Sequence, residues 1–300
     1  MPSLKAIRKR IASTKATQKI TRAMKMVAGA RLTRAQQRIV AMRPYAVKTS
    51  EVLHSVVRSM RASAELNDDS VHPLLAVRPE KSALYLVFSA ERGLCGALNT
   101  NVNKAAEREW QEKKAAGIRT SFATIGRKGR EYLTRRNATL SNDFTRIYEN
   151  LDLEKARTVA RWLVPRYHKA EFDSVYLVYS EFKSAIVQRV VVDRLLPLGE
   201  PAPAASGASG GAGPTEMLYE PNQKVLLDRL VPMYVEITLY RALLESQASF
   251  FGAQMTAMDA ATRNAKDMIA RLTLSYNRAR QAAITKELME IIGGAEALKE

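Results

Sequence analysis

The sequence predicts an α/β protein with long helices: an antiparallel coiled coil of the N- and C-terminal helices with a small, Rossmann-like α/β domain inserted between them. Three observations predict it. A seam of apolar and small side chains steps by three and four residues at each end of the chain, strands alternate with helices in the middle, and a Gly/Ala/Pro-rich stretch precedes the last helix.

The C-terminal seam runs Leu226, Leu230, Met233, Ile237, Tyr240, Leu244, Gln247, Phe251, Met255, Met258, Thr262, Ala265, Ile269, Leu272, Tyr276, Ala279, Ala283. Its doubled step of four, Gln247 to Phe251 to Met255, is a stutter that locally unwinds a supercoil. Gly and Pro are almost absent after Pro232, and Gly293-Gly294 reads as the stop. About 60 to 70 residues at roughly 1.5 Å each make a helix of about 100 Å, which needs a partner along its seam.

Residues 4–60 supply one, through Leu4, Ile7, Ile11, Thr14, Gln18, Thr21, Met24, Ala28, Leu32, Ala35, Ile39, Met42, Ala46, Thr49, Leu53, Val56 and Met60. Pro2 suits its first turn and Pro44 marks a kink. Thr14, Gln18, Thr21 and Ala28 are small or polar where bulk is expected, so two backbones can approach closely there. If the helices align near the domain, Leu4 falls opposite roughly residue 278. Ile284, Leu288, Ile291 and Ile292 would then lie beyond the partner helix, an aggregation liability unless another protein encloses them.

Between the helices the pattern shortens. Residues 62–82, with Asn67-Asp68-Asp69 and two prolines, read as a loop. Leu84–Phe88 is a buried strand, 97–116 a helix ended by Gly117, 121–125 a strand, and 128–136 a short helix. A helix over 153–168 precedes a hairpin of 175–179 and 186–196 turning near Lys183-Ser184. This is a mainly parallel sheet covered by helices. Residues 199–215 read as a flexible tether, too poor in apolar side chains to pack. The division expected is 1–61 N-terminal helix, 82–198 α/β domain, 199–215 linker and 219–300 C-terminal helix.

Composition excludes several classes of protein. The chain has 300 residues, 46% of them hydrophobic, and no run of eighteen apolar residues that would span a membrane. Its one cysteine, Cys95, cannot form an internal disulfide, which points to a reducing compartment. The three histidines are scattered, so no metal site is expected. Charge is more informative: of a net +17, residues 1–50 supply thirteen Lys or Arg and no acid, whereas the other 250 residues carry 34 bases against 30 acids.

No catalytic constellation emerges. Ser89-Ala90-Glu91-Arg92-Gly93-Leu94-Cys95-Gly96 lies between a strand and a helix, where α/β domains often hold phosphate, but it lacks the full G-x-G-x-x-G and reads better as a tight turn. Gly126-Arg127-Lys128-Gly129 misses the Walker spacing. Cys95 has no histidine near it in sequence and reads as a small buried apolar residue. No cofactor is expected.

The acid-free first fifty residues admit three readings. A transit peptide is disfavoured because the seam continues past Glu51. A basic coiled coil that binds nucleic acid is the alternative function, weakened because Tyr45 is the only aromatic among them. A positive shaft facing acidic protein surfaces fits best, since solvated helices usually mix both signs.

At this point the residues resemble the gamma subunit of the rotary F-type ATP synthase. Ile11-Ala12-Ser13, Thr17-Gln18-Lys19-Ile20-Thr21, Ala23-Met24 and Met26-Val27-Ala28 resemble its first signature. Arg92-Gly93-Leu94-Cys95-Gly96 with Leu98-Asn99 resembles the second. The last and most specific is Tyr276-Asn277, Arg280-Gln281-Ala282, Ile284-Thr285, Glu287-Leu288, Glu290-Ile291 and Gly294-Ala295.

The resemblance implies a central rotor shaft inside a ring of alpha and beta subunits, with the α/β domain as a foot on the membrane c ring and on epsilon. It implies a non-catalytic subunit, one copy per complex, that couples proton-driven rotation to ATP synthesis or hydrolysis on the beta subunits. It further implies a peripheral protein on the cytoplasmic side of a bacterial plasma membrane. By the same carry-over, Met24, Arg280, Gln281 and Thr285 match positions that touch beta, and Ile284, Leu288 and Ile291 would ride in an apolar bearing. Leu218, Tyr219 and Glu220 match the part of the foot next to the c ring. Phe250-Phe251, Gly252 and Gln254 depart from the family pattern, as does Gly29, which replaces a usual alanine and should loosen its helix by up to about 1 kcal/mol.

Overall fold

The computed structural model describes residues 3–62, 74–75, 78–198 and 223–297. The expected linker 199–215 and the positions Leu218, Tyr219 and Glu220 lie outside the described residues.

Helix α1 spans Leu4–Ala62. Every described seam position from Leu4 to Val56 is buried or half-buried, while its neighbours are, with few exceptions, exposed. The helix continues through Pro44. Helix α5 spans Gln223–Ala297 and runs through Gly293-Gly294, which do not stop it as expected. A glycine pair costs helix stability without forbidding helical φ and ψ, so nothing obliges the chain to turn there.

The elements between them are β1 (Ser82–Phe88), α2 (Leu98–Ala115), β2 (Arg119–Ile125), α3 (Arg127–Thr134), β3 (Leu140–Phe144), α4 (Leu153–His168), β4 (Ser174–Phe182) and β5 (Gln188–Leu196). The sheet order is β3-β2-β1-β4-β5. The first four of these strands pair in parallel, and β5 returns antiparallel to β4. Strand β3 had not been expected. The second hairpin strand starts at Gln188 rather than Ile186, because Lys183 and Ser184 donate their N–H groups to the Val187 carbonyl and close the turn there.

The chain divides into two compact units, residues 1–30 with 254–300 and residues 31–253. In the larger unit, β1 is buried along its whole length. Its alternate residues Leu84, Leu86 and Phe88 join a core with Val159 and Leu163 of α4, Leu53 and Val56 of α1, and Leu239 and Leu243 of α5. Ala83, Tyr85 and Val87 face Val102 and Ala106 of α2 and Leu133 of α3. Covering both faces explains why β1 reads as a continuous apolar run.

Within this unit α5 also crosses the carboxyl ends of β1 and β4. Buried Ser249 donates to the Ser180 carbonyl at 2.8 Å, and Ser246 donates to the Phe88 carbonyl at 3.5 Å. The crevice in which open α/β sheets commonly take ligands is filled here by the chain's own helix.

Candidate functional site

The smaller unit carries most of the residues singled out in the sequence. Here α1 and α5 run antiparallel in a fixed register: the Thr262 hydroxyl lies 2.8 Å from that of Thr21, Lys25 pairs with Asp259, and a Cβ on Gly29 would meet Met255 Sδ at 3.5 Å. Each step forward on one helix is matched by an equal step back on the other. The small seam at Thr21, Ala28 and Gly29 lets the backbones close together, and Thr21 satisfies its hydroxyl by donating to the Gln18 carbonyl at 3.1 Å. The Lys25 ammonium holds the Asp259 carboxyl below the usual carboxylate range, and Arg263 adds a second contact at 3.3 Å.

Carried back, this register puts Leu4 level with about residue 279. Ala283 is the last half-buried residue of α5, and every described side chain beyond it is exposed. Ile284 is 46% exposed, Leu288 53% and Ile291 69%, and Met289 and Ile292 are exposed as well. Arg280, Ile284, Leu288 and Ile291 follow steps of four, four and three, so they share one face of the helix. Gln281, Thr285 and Met289 form the adjacent row, about 100° round the axis. Sequence reasoning omitted Met289, although its spacing of four from Thr285 was there to be read.

Met24 is half-buried on α1, level with the Lys25–Asp259 pair. Some twenty residues separate that height from Arg280, about 30 Å along a helix axis. The structure therefore gathers Arg280, Gln281, Thr285, Ile284, Leu288 and Ile291 at one end of α5 and leaves Met24 apart from them.

Charge follows the same geometry. Lys5, Arg8, Lys9, Arg10, Lys15, Lys19 and Arg22 are all exposed on α1, with no acid on that helix segment. Of the first fifty residues' bases, Lys25 is the one drawn into an interhelical ion pair in this unit.

The glycine-rich turn after β1 is committed to structure. Buried Ser89 accepts from the Gly129 N–H at 2.7 Å and donates to the Gly126 carbonyl at 3.0 Å. Asn99 accepts from the Ala90 N–H at 2.9 Å, and its amide donates to Cys95 Sγ at 3.2 Å. Glu91 accepts from the Arg127 and Arg146 N–H groups. Burial pushes the Cys95 thiol above its ordinary pKa, outweighing the hydrogen bonds that would lower it. Among the described residues no group of three or more His, Cys, Asp or Glu is arranged to hold a metal ion. No helix there is long and apolar enough to cross a membrane.

A family model described as ATP synthase matches residues 3–298. An ATP synthase gamma chain of Sorangium cellulosum (strain So ce56) is 54% identical over 323 aligned residues, covering the whole of both chains. One of Anaeromyxobacter sp. (strain Fw109-5) is 48% identical over 299, again with full coverage of both. The chain belongs to the ATP synthase gamma-chain family. Among solved structures, a chain of the Euglena gracilis mitochondrial ATP synthase OSCP/F1/c-ring assembly in rotational state 3 has a TM-score of 0.65 at 19% identity, covering 98% of this chain and 94% of that one. A chain of the Tetrahymena thermophila mitochondrial ATP synthase central stalk and c ring has a TM-score of 0.58 at 23% identity, covering 81% and 99%. These likenesses are of fold, and they agree with long N- and C-terminal helices and a central mixed sheet. The relatives' names carry no nucleic-acid function, and the basic face of α1 presents no aromatic side chain before Tyr45 on which bases would stack.

Proposed function

We propose that the chain is the central-stalk rotor subunit of a bacterial ATP synthase, with its helix pair turning inside the ring of alpha and beta subunits. The sheet domain is the foot that meets epsilon and the c ring. The observation that carries the reading is the end of α5, where a row of large apolar residues stays exposed beyond Ala283 in a chain of this family. Such a row is suited to an apolar bearing because dispersion and burial are non-directional and let one surface turn against another.

In this reading Ile284, Leu288 and Ile291 ride in the bearing, while Arg280, one turn below Ile284 on the same face, and Gln281 and Thr285 on the adjacent row meet a beta subunit. Met24 meets beta about 30 Å lower, so the contacts form two tiers rather than one patch. The exposed cations of α1 attract acidic partner surfaces without tight fit, which suits a surface that must pass several partners in turn. Leu218, Tyr219 and Glu220 are the proposed contacts to the c ring. The subunit binds no nucleotide and does no chemistry: rotation changes which beta subunit is pressed, and the nucleotide sites respond. The complex holds it as a peripheral protein on the cytoplasmic side of the plasma membrane.

The test is recovery of the tagged chain from detergent-solubilised membranes of its host, with ATPase assay and mass spectrometry. An ATP-hydrolysing complex containing two related P-loop subunits supports the reading. Recovery of nucleic acid, or of the chain alone, overturns it.

A further inference from the structure

Strand β5 is an edge of the sheet, and among the described residues nothing pairs with its outer side. It is nine residues long, and every second residue turns both N–H and C=O outward. Val190, Val191 and Val192 are consecutive and each only half-buried. A long, β-branched, unpaired edge is the feature that folded proteins normally cover or charge, and this one carries exposed Arg189, Asp193 and Arg194, a net positive edge whose ladder is still open.

Behind this edge lies a groove of about 520 Å³ between α2 and β5, with Val190 and Val192 on its floor. Its rim on α2 carries Asn101, Lys104 and Arg108, all exposed. Asn101 and Lys104 make no side-chain hydrogen bond or ion pair among the described residues, and Arg108 reaches Glu112 only at 3.8 Å. Glu109, the one acid on the rim, accepts from the Tyr85 hydroxyl at 3.4 Å. Lys104 lies in the field of Glu107 one turn on. The groove thus presents exposed donors and cations beside an apolar floor and an open ladder.

We propose that the outer edge of β5 and this groove receive an extended acidic strand from a partner subunit of the complex. The strand's backbone completes the ladder, alternate apolar side chains settle on Val190 and Val192, and a carboxylate between them reaches Lys104. This rests on the rotor-subunit reading, since it needs an assembled partner.

Hydrogen exchange of the outward-turned amides of β5, those not bonded to β4, in the isolated full-length chain and in the complex recovered with it, tests the idea. Exchange is expected to slow about tenfold or more in the complex. Equal exchange in both overturns the proposal and leaves the rotor reading intact, whereas failure to recover any complex overturns both. Slow exchange already present in the isolated chain also overturns it, because the chain would then cover its own edge or pair with a second copy. The Lys104→Glu, Arg108→Glu variant is expected to restore fast exchange in the complex at low ionic strength, with unchanged thermal stability of the isolated chain. Protection unaffected by that reversal sinks the acidic assignment. A photo-reactive side chain at Val192 should cross-link to an acid-bearing strand, and a cross-link to a helix would sink the strand.

Discussion

Replacing a glycine by alanine at two places should have opposite effects, because one added Cβ finds room and the other meets backbone. Gly29 is half-buried in α1, and its added Cβ would meet Met255 Sδ at 3.5 Å, an ordinary van der Waals contact. Nothing has to move, so Gly29→Ala gains the helix propensity that glycine lacks, about 1 kcal/mol, or roughly a fivefold smaller opening equilibrium. Gly126 sits at φ 96°, and its Cβ would lie 2.1 Å from the Ser89 carbonyl oxygen and 2.8 Å from the carbonyl carbon. That backbone cannot yield without breaking the Ser89 bonds to Gly126 and Gly129, so Gly126→Ala should cost more than about 3 kcal/mol. Hydrogen exchange on the full-length chain reads both. Amides of α1 near Gly29 should slow about fivefold in the first variant, and amides of β2 and α3 should speed by more than about a hundredfold in the second. Unchanged or faster exchange around Ala at position 29 would refute the packing argument there, and an unperturbed second variant would refute the account of the turn.

Four further outcomes are expected. Arg280→Ala with Gln281→Ala should lower ATP turnover of the assembled enzyme several-fold at unchanged subunit content, and equal turnover would remove both from the proposed beta contact. Ile284→Ser, Leu288→Ser and Ile291→Ser together should leave the unfolding of the isolated chain within about 0.5 kcal/mol, because those side chains are exposed, while lowering assembly or turnover of the complex. Burial alone would raise the Glu80 carboxyl pKa, but hydrogen bonds from Lys113, Ser174 and Tyr176 outweigh it and hold it below the ordinary value. Its stabilisation is therefore present above the unfolded pKa and lost on acidification through the folded one, so Glu80→Gln should cost about 1 to 3 kcal/mol at pH 7 and flatten the fall in stability below about pH 5 in pH-dependent denaturation. Cys95 is 1% exposed with a thiol pushed up by burial, so alkylation of the native chain at pH 8 should run more than about a hundredfold slower than in denaturant.

Legibility in the sequence tracked how local each signal was. The seam of α1 could be read residue by residue, because a repeat of three and four is a property of one helix and one buried stripe. Strand β1 was legible as an apolar run because both its faces are covered. Strand β3 was not, since Ser141, Asn142 and Asp143 are poor strand formers. It forms because Asp143 accepts from the Thr124 hydroxyl at 2.9 Å and from Arg130 at 2.8 Å, and because Phe144 packs edge-on to Trp162 at 5.6 Å. Ile186 and Val187 looked like strand by composition, yet they close a turn and stay exposed.

At the candidate site, the exposed apolar end of α5 followed from counting helix lengths alone. The two tiers did not, because Met24 and Arg280 look equally distinguished in a sequence. The contacts across the helix pair, Thr21 with Thr262 and Lys25 with Asp259, fix the height of Met24. The sequence by itself determined the helices, the alternation of the sheet domain and the sign of the charge, all of which come from spacing along one chain. The tertiary structure decided the interhelical register, the strand at the sheet's polar edge and the filling of the sheet's carboxyl-end crevice by α5. Those depend on which side chains meet across space, and hydrophobic periodicity is silent about partners.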